Sequence, residues 1–121
     1  MFNQNKPVIG IDFDITCVDT VFCEGGWHDY LNNMSHNKLP REYFESLDEV
    51  EYDLHGHYPD LAHDEAMSFW HCPHLYQKLR PRADAVKVIS RLIKLGFNIV
   101  FIGHCTGGHY ESKVQAAKDL S

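Results

Sequence analysis

Positive charge is scarce in this chain. Eleven Lys and Arg face 17 Asp and Glu, a formal net charge of -6 over 121 residues. Binding along a nucleic-acid backbone needs clustered Lys and Arg, so no long nucleic-acid partner is expected. Long apolar runs are also missing: no stretch approaches the ~18 consecutive apolar residues of a membrane span. The opening MFNQNKP has neither the basic region nor the apolar stretch of a secretory signal. The four cysteines (Cys17, Cys23, Cys72, Cys105) make no CxxC pair and no regular framework. Reduced thiols in a cytoplasmic protein are therefore expected, with Cys17 a small core residue. Repeats and low-complexity tracts are lacking, and the length suits one small domain with a real core.

What is there begins with PVIGIDFDI, residues 7 to 15, where Val8, Ile9, Ile11 and Phe13 form a short apolar run. Such a run predicts a strand buried on both faces of a parallel sheet. Residues 18 to 78 change character. They are rich in His, Tyr, Asp and Glu, and patches such as REYFESLDEV and DLAHDEAMSFW predict a small helical insertion. From Pro81 the pattern sharpens: PRADAVKVISRLIKLG sets Val86, Ile89, Leu92 and Ile93 on one helical face, with Pro81 and Gly96 as punctuation. FNIVFIG predicts a second buried strand, HCTGGH a loop, and YESKVQAAKDL a final helix. This order implies an α/β fold whose parallel strands are joined by a right-handed crossover. The core would comprise residues 1-17 and 79-121, and the insertion residues 18-78. Ligands in such sheets sit beyond the carboxyl ends of the strands, where Asp12, Asp14 and HCTGGH all fall.

DFDIT sets two carboxylates two residues apart, at a spacing that shares one side of an extended strand. One aspartate at such an edge can attack phosphorus to give an acyl phosphate, and the other can donate a proton to the leaving oxygen. Two acids this close also suit a hard divalent cation, magnesium above all. A bare D-x-D is more often a solvated turn at a strand end or a plain metal site, so the hydrophobic strand ahead of it carries the added specificity.

VIGIDFDIT resembles the first signature of the haloacid-dehalogenase superfamily, a hydrophobic strand ending in D-x-D-x-[TV]. The layout of FWHCPHLYQKLRPRADAVKVISRLIKLGFNIVFIG is similar to that of the 5'(3')-deoxyribonucleotidases, with a helical cap inserted straight after the first signature. The resemblance implies a Rossmann-like parallel sheet with a helical cap, apparently incomplete at the C-terminus. It implies Asp12 as nucleophile, Asp14 as general acid and base, and Thr16 as a loop support. Magnesium would be held by the Asp12 carboxylate and the Asp14 backbone carbonyl. Lys113 matches the lysine that neutralises phosphate charge. The implied activity is hydrolysis of (deoxy)nucleoside monophosphates through an aspartyl-phosphate.

Two departures stand out. The second strand ends in FIGHC, leaving Gly103 or His104 where the family has a phosphate-binding hydroxyl; the nearby Thr106, or the His104 ring with backbone N–H groups of the glycine-containing turn, are the candidates to replace it. The acidic pair that completes the family's metal site has no counterpart after Lys113. A homo-oligomer, or a second chain completing the fold, is the partner this implies. Among the aromatics of the insertion most are expected to form its core, with Phe22, Trp70 and Tyr76 as candidates to stack on a nucleobase. Asp19 and Glu24 are candidates for a sugar hydroxyl, with solvation the plainer expectation. Arg80 and Arg82 flank a helix start. Of the nine histidines, the six in HGH, HCPH and HCTGGH lack zinc-finger spacing, so surface or cap positions are expected of them. The alternative function is a non-catalytic binding or assembly protein on a degenerate form of the same fold; a zinc-binding histidine-rich module is a weaker third.

Overall fold

The computed structural model describes residues 4–105 and 108–120. Two strands, β1 (Val8–Asp12) and β2 (Asn98–Ile102), pair in parallel, with Val8 opposite Asn98 and Asp12 opposite Ile102. Among the described residues they make up the whole sheet. The helices are α1 (Trp27–Met34), α2 (Arg41–Glu45), α3 (His63–Met67), α4 (Ala83–Lys94) and α5 (Tyr110–Leu120), with short 3-10 turns between α2 and α4. The chain is thus mixed α/β, and no helix is long and apolar enough to cross a membrane among the described residues.

Each boundary of α4 has a local cause. Pro81 and the extended Arg82 set its entry, Asp84 lies in the first turn, and Arg91 and Lys94 lie in the last, complementing the helix dipole. Its end is a Schellman turn: Phe97 N–H donates to Leu92 O and Gly96 N–H to Ile93 O. Gly96 takes φ +98°, a left-handed conformation that a side chain would strain. The turn delivers the chain straight into β2.

One expectation fails here. β1 is not buried on both faces: Val8 is 53% exposed, and Val100 and Ile102 of β2 are 41% and 60% exposed. Ile9, Ile11, Ile99 and Phe101 alternate with them and are half-buried. Ile11 lines a shallow recess together with Ala85, Val88 and Ile89 of α4, so helical cover lies on that side. Parallel sheets ordinarily have both faces covered; here two strands carry cover on one. The same narrowness explains α4, where Ile89 is buried but Val86 and Ile93 stay exposed.

The insertion is helical as expected, in shorter pieces. REYFESLDEV stops being helical at Glu45, where the Ser46 hydroxyl donates to Tyr43 O at 2.6 Å. DLAHDEAMSFW breaks into α3 and a 3-10 turn at Ser68, whose hydroxyl donates to Glu65 O at 2.6 Å. Serine hydroxyls that bond back to the preceding turn compete with continuation of a helix. Leu31, Tyr58 and Ala66 are fully buried, and full burial of a large apolar side chain contributes about 1.5–3 kcal/mol. The Trp27 indole N–H donates to Ala66 O at 2.9 Å, tying α1 to α3. Asn32 acts as a clip: its amide donates to Leu39 O, and its carbonyl oxygen accepts from Leu39 N–H and from the Tyr58 hydroxyl.

Candidate active site

The strand pairing continues one residue past β1, with Phe13 N–H donating to Ile102 O at 3.1 Å. Phe13 is buried, which anchors the loop that follows. That loop closes on itself. Ile15 N–H donates to Val18 O at 2.7 Å, Cys17 N–H to Phe13 O at 2.9 Å, and Thr16 N–H to Asp14 O at 2.7 Å. Ile15 has φ +67°. A β-branched residue in this region costs on the order of 1–3 kcal/mol and persists only where neighbours enforce it. Arg82 is one such neighbour: its Nε–H donates to Ile15 O and its backbone N–H to Cys17 O, both at 2.7 Å. The head of α4 therefore clamps the loop that carries the two acids, a role the sequence did not suggest for Arg82.

Asp14 is held from both sides. The Tyr76 hydroxyl donates to Oδ1 at 2.6 Å, and the Lys113 ammonium donates to Oδ2 at 2.6 Å. Lys113 lies in the first turns of α5, where side chains lean back toward the helix start. This direction carries Nζ to the strand edge, where it also donates to His104 O at 3.0 Å. Nζ lies 5.7 Å from the centre of the Tyr76 ring and 6.0 Å from that of Phe13. Lys113 is buried and the Asp14 side chain is 26% exposed, so water screens the pair only partly. Burial first, and the Asp14 carboxylate second, push the Tyr76 phenol well above its ordinary range, so it stays a proton donor.

Asp12 differs in every respect. It is exposed, and among the described residues no donor contacts its carboxylate. Its carbonyl accepts the Cys17 thiol at 3.5 Å. Burial, with the charge of Asp12 adding to it, pushes that thiol above its usual value. Cys17 is thus the inert core residue the sequence suggested. The site accordingly pairs one bare carboxylate with one that is already hydrogen-bonded, and offers a buried ammonium between aromatic walls.

Gly103 stands at the end of β2, where a side-chain hydroxyl was looked for. A Cβ there would lie 2.7 Å from Lys113 Nζ and 2.9 Å from its Cε. The glycine leaves the space through which Lys113 reaches Asp14. Its neighbour His104 contributes its carbonyl to Lys113, and Thr106 lies outside the described residues. Thr16 is exposed beside Asp14 in sequence and lines a shallow recess with Ile11 and Asp84.

The aromatic candidates separate. Tyr76 is buried and meets Asp14 through its hydroxyl. Phe22 is half-buried against His28 and Phe44, 5.4 Å and 5.3 Å between ring centres. Trp70 packs edge-on against Trp27 at 5.4 Å, and its carbonyl lies 2.5 Å from His109 Nδ1. No hydrogen bond or ring contact joins the side chain of Phe22 or Trp70 to Asp12, Asp14 or Lys113 among the described residues. His109 is buried, packs 5.6 Å from the Tyr76 ring, and so connects Trp70 to the site. Asp19 accepts from Phe22 N–H and lies 3.7 Å from the Arg82 guanidinium, so it serves the loop.

The histidines of HGH brace the insertion: His55 meets Leu61 O at 2.6 Å, and His57 accepts from Glu51 N–H at 3.1 Å. Among the described residues no group of three or more His, Cys, Asp or Glu could hold a metal ion. Asp12 is nonetheless a hard oxygen ligand open to solvent, and magnesium is commonly bound by one or two carboxylates while keeping several waters. A cleft of about 350 Å³ is lined by Val18, Tyr76, Leu79, Val86, Ser112 and Leu120 among others, and by neither Asp12 nor Asp14. No family model, curated protein or solved structure matches the chain.

Proposed function

We propose that the chain is a phosphomonoester hydrolase of the haloacid-dehalogenase type, with a Rossmann-like core and a helical cap. Its substrates would be (deoxy)nucleoside monophosphates. One observation carries this reading: Lys113 Nζ meets Asp14 Oδ2 at 2.6 Å, beside the exposed Asp12, at the carboxyl edge of a parallel strand pair. A nucleophile, a proton carrier and a cation are what phosphoryl transfer through an aspartate requires.

In this mechanism a carboxylate oxygen of Asp12 attacks phosphorus. The bond from phosphorus to the leaving oxygen breaks, its electron pair stays on that oxygen, and Asp14, protonated from solvent once Lys113 has turned to the phosphate, supplies the proton. Water then attacks the phosphorus of the aspartyl-phosphate while Asp14 takes a proton from it; the bond from phosphorus to the Asp12 oxygen breaks, its electron pair restores the Asp12 carboxylate, and inorganic phosphate leaves. Lys113 exchanges the Asp14 carboxylate for the equatorial phosphate oxygens, where its charge stabilises the transition state. The Asp12 carboxylate and the Asp14 carbonyl are the groups that would hold magnesium, which would supply positive charge to the transferring phosphoryl group. Four free cysteines agree with a reducing, cytoplasmic setting for such an enzyme. The test is phosphate release from a panel of nucleoside and deoxynucleoside monophosphates with magnesium. Release by the native protein and none by Asp12→Asn supports the reading; equal turnover in the two removes it.

A second reading is a binding or assembly protein on the same framework. The bare outer face formed by Val8, Val100 and Ile102 favours it. Absence of phosphate release with every substrate and metal, together with a mass in solution above that of one chain, would support it over the enzyme.

A further inference from the structure

The geometry points to Tyr76 as a positioning residue that decides which oxygen of Asp14 carries the proton, an inference that rests on the phosphatase reading. Its hydroxyl occupies Oδ1 at 2.6 Å, leaving Oδ2 to Lys113. Incoming phosphate attracts the ammonium of Lys113, and Oδ2 is the oxygen that this exchange frees. Oδ1 cannot be freed in the same way. Tyr76 is 3% exposed, its ring is packed against Phe13 at 5.7 Å and His109 at 5.6 Å, and the phenol has no second acceptor among the described residues. A phenol that donates to Oδ1 makes it the carbonyl-like acceptor, so a proton on Asp14 resides on Oδ2. The O–H bond at Oδ2 then breaks as the leaving oxygen gains the proton and its bond to phosphorus is lost. Tyr76 touches neither phosphorus nor the leaving group in this scheme. Its effect passes wholly through the Asp14 carboxyl, in place of the nucleobase stacking that its aromatic character suggested.

A residue that positions a general acid matters most where the leaving group needs a proton. The experiment compares kcat/KM, which reads the first transfer, for a deoxynucleoside 5'-monophosphate and for p-nitrophenyl phosphate. The native protein and Tyr76→Phe are assayed with each. The alkoxide leaving group requires protonation and nitrophenolate does not, so Tyr76→Phe is expected to lose about 10- to 100-fold on the nucleotide and less than about threefold on the aryl ester. Equal losses on both substrates, or none, would overturn the inference while leaving the phosphatase reading intact. Absence of turnover by the native protein on either ester would remove both. A second measurement needs no turnover: in protein labelled with carbon-13 at tyrosine Cζ, the Tyr76 signal, identified by its loss in Tyr76→Phe, should shift in Asp14→Asn and stay in place in Asp12→Asn. An unmoved signal in Asp14→Asn would overturn the hydrogen bond itself.

Discussion

The ammonium of Lys113 lies 2.6 Å from the Asp14 carboxylate across 99 positions of sequence, joining the first turns of the last helix to the loop after the first strand. Lys113 is buried, and Asp14 is only partly open to water. Removing one member of such a pair leaves the other poorly solvated.

Lys113→Met should therefore lower unfolding stability by about 1–3 kcal/mol, less than for a fully buried pair because Asp14 keeps some contact with water. Asp14→Asn placed in that background should cost less than it does alone. A double-mutant cycle in urea is expected to give a coupling of about 1 kcal/mol or more; strict additivity would mean that the pair contributes nothing.

Gly103→Ala adds only the Cβ that would meet Lys113 Nζ at 2.7 Å. The end of a lysine side chain can swing aside, so the fold should survive, at a cost of about 1–3 kcal/mol because the ion pair is broken as it is in Lys113→Met. The swing takes Nζ away from Asp14. Phosphate release should drop about 10- to 100-fold, since a displaced charge no longer meets the transferring group. Full activity in Gly103→Ala would show that Lys113 does not need this approach.

Alkali should find the insertion through Tyr58. Burial first, and the nearby charge of Asp29 second, push its phenol up to about 12 from 10.0. The folded state thus holds this proton more tightly than the unfolded chain. The associated stability is complete below pH 10 and is lost as pH rises from there through about 12. Tyr58 is fully buried, and a two-unit difference corresponds to roughly 2–3 kcal/mol. Tyr58→Phe should be slightly less stable at pH 7, because the bond to Asn32 is gone, yet should lose less between pH 10 and 12. Unfolding followed by circular dichroism at both pH values checks the crossover; parallel losses in the two proteins would assign the alkaline sensitivity elsewhere.

The parts of this arrangement that were legible in the sequence are those with local signals. The apolar run before Asp12, the Pro81 and Gly96 punctuation of α4, and the helix that carries Lys113 all follow from neighbouring residues. The extents of α2 and α3 were not legible, because Ser46 and Ser68 end them through hydroxyls that can equally point to water. Nor was the open face at Val8 and Ile102, since an apolar run reads the same whether one sheet face or both are covered. At the site, Asp12 and Asp14 could be picked out by type and spacing, and Lys113 only through the family resemblance. The hydroxyl of Tyr76 could not, because its contact with Asp14 spans 62 positions and gave no pattern in either segment. Gly103 read as the loss of a hydroxyl; its meaning, room for Lys113, exists only in three dimensions.

The central claim is that Asp12 forms a covalent bond to phosphorus. Borohydride added during turnover of a nucleoside monophosphate reduces an aspartyl-phosphate to homoserine, which peptide mass spectrometry reads at a single position. Homoserine at position 12, dependent on both substrate and magnesium and absent in Asp12→Asn, is the expected result. Continued phosphate release with position 12 remaining unmodified aspartate would contradict it.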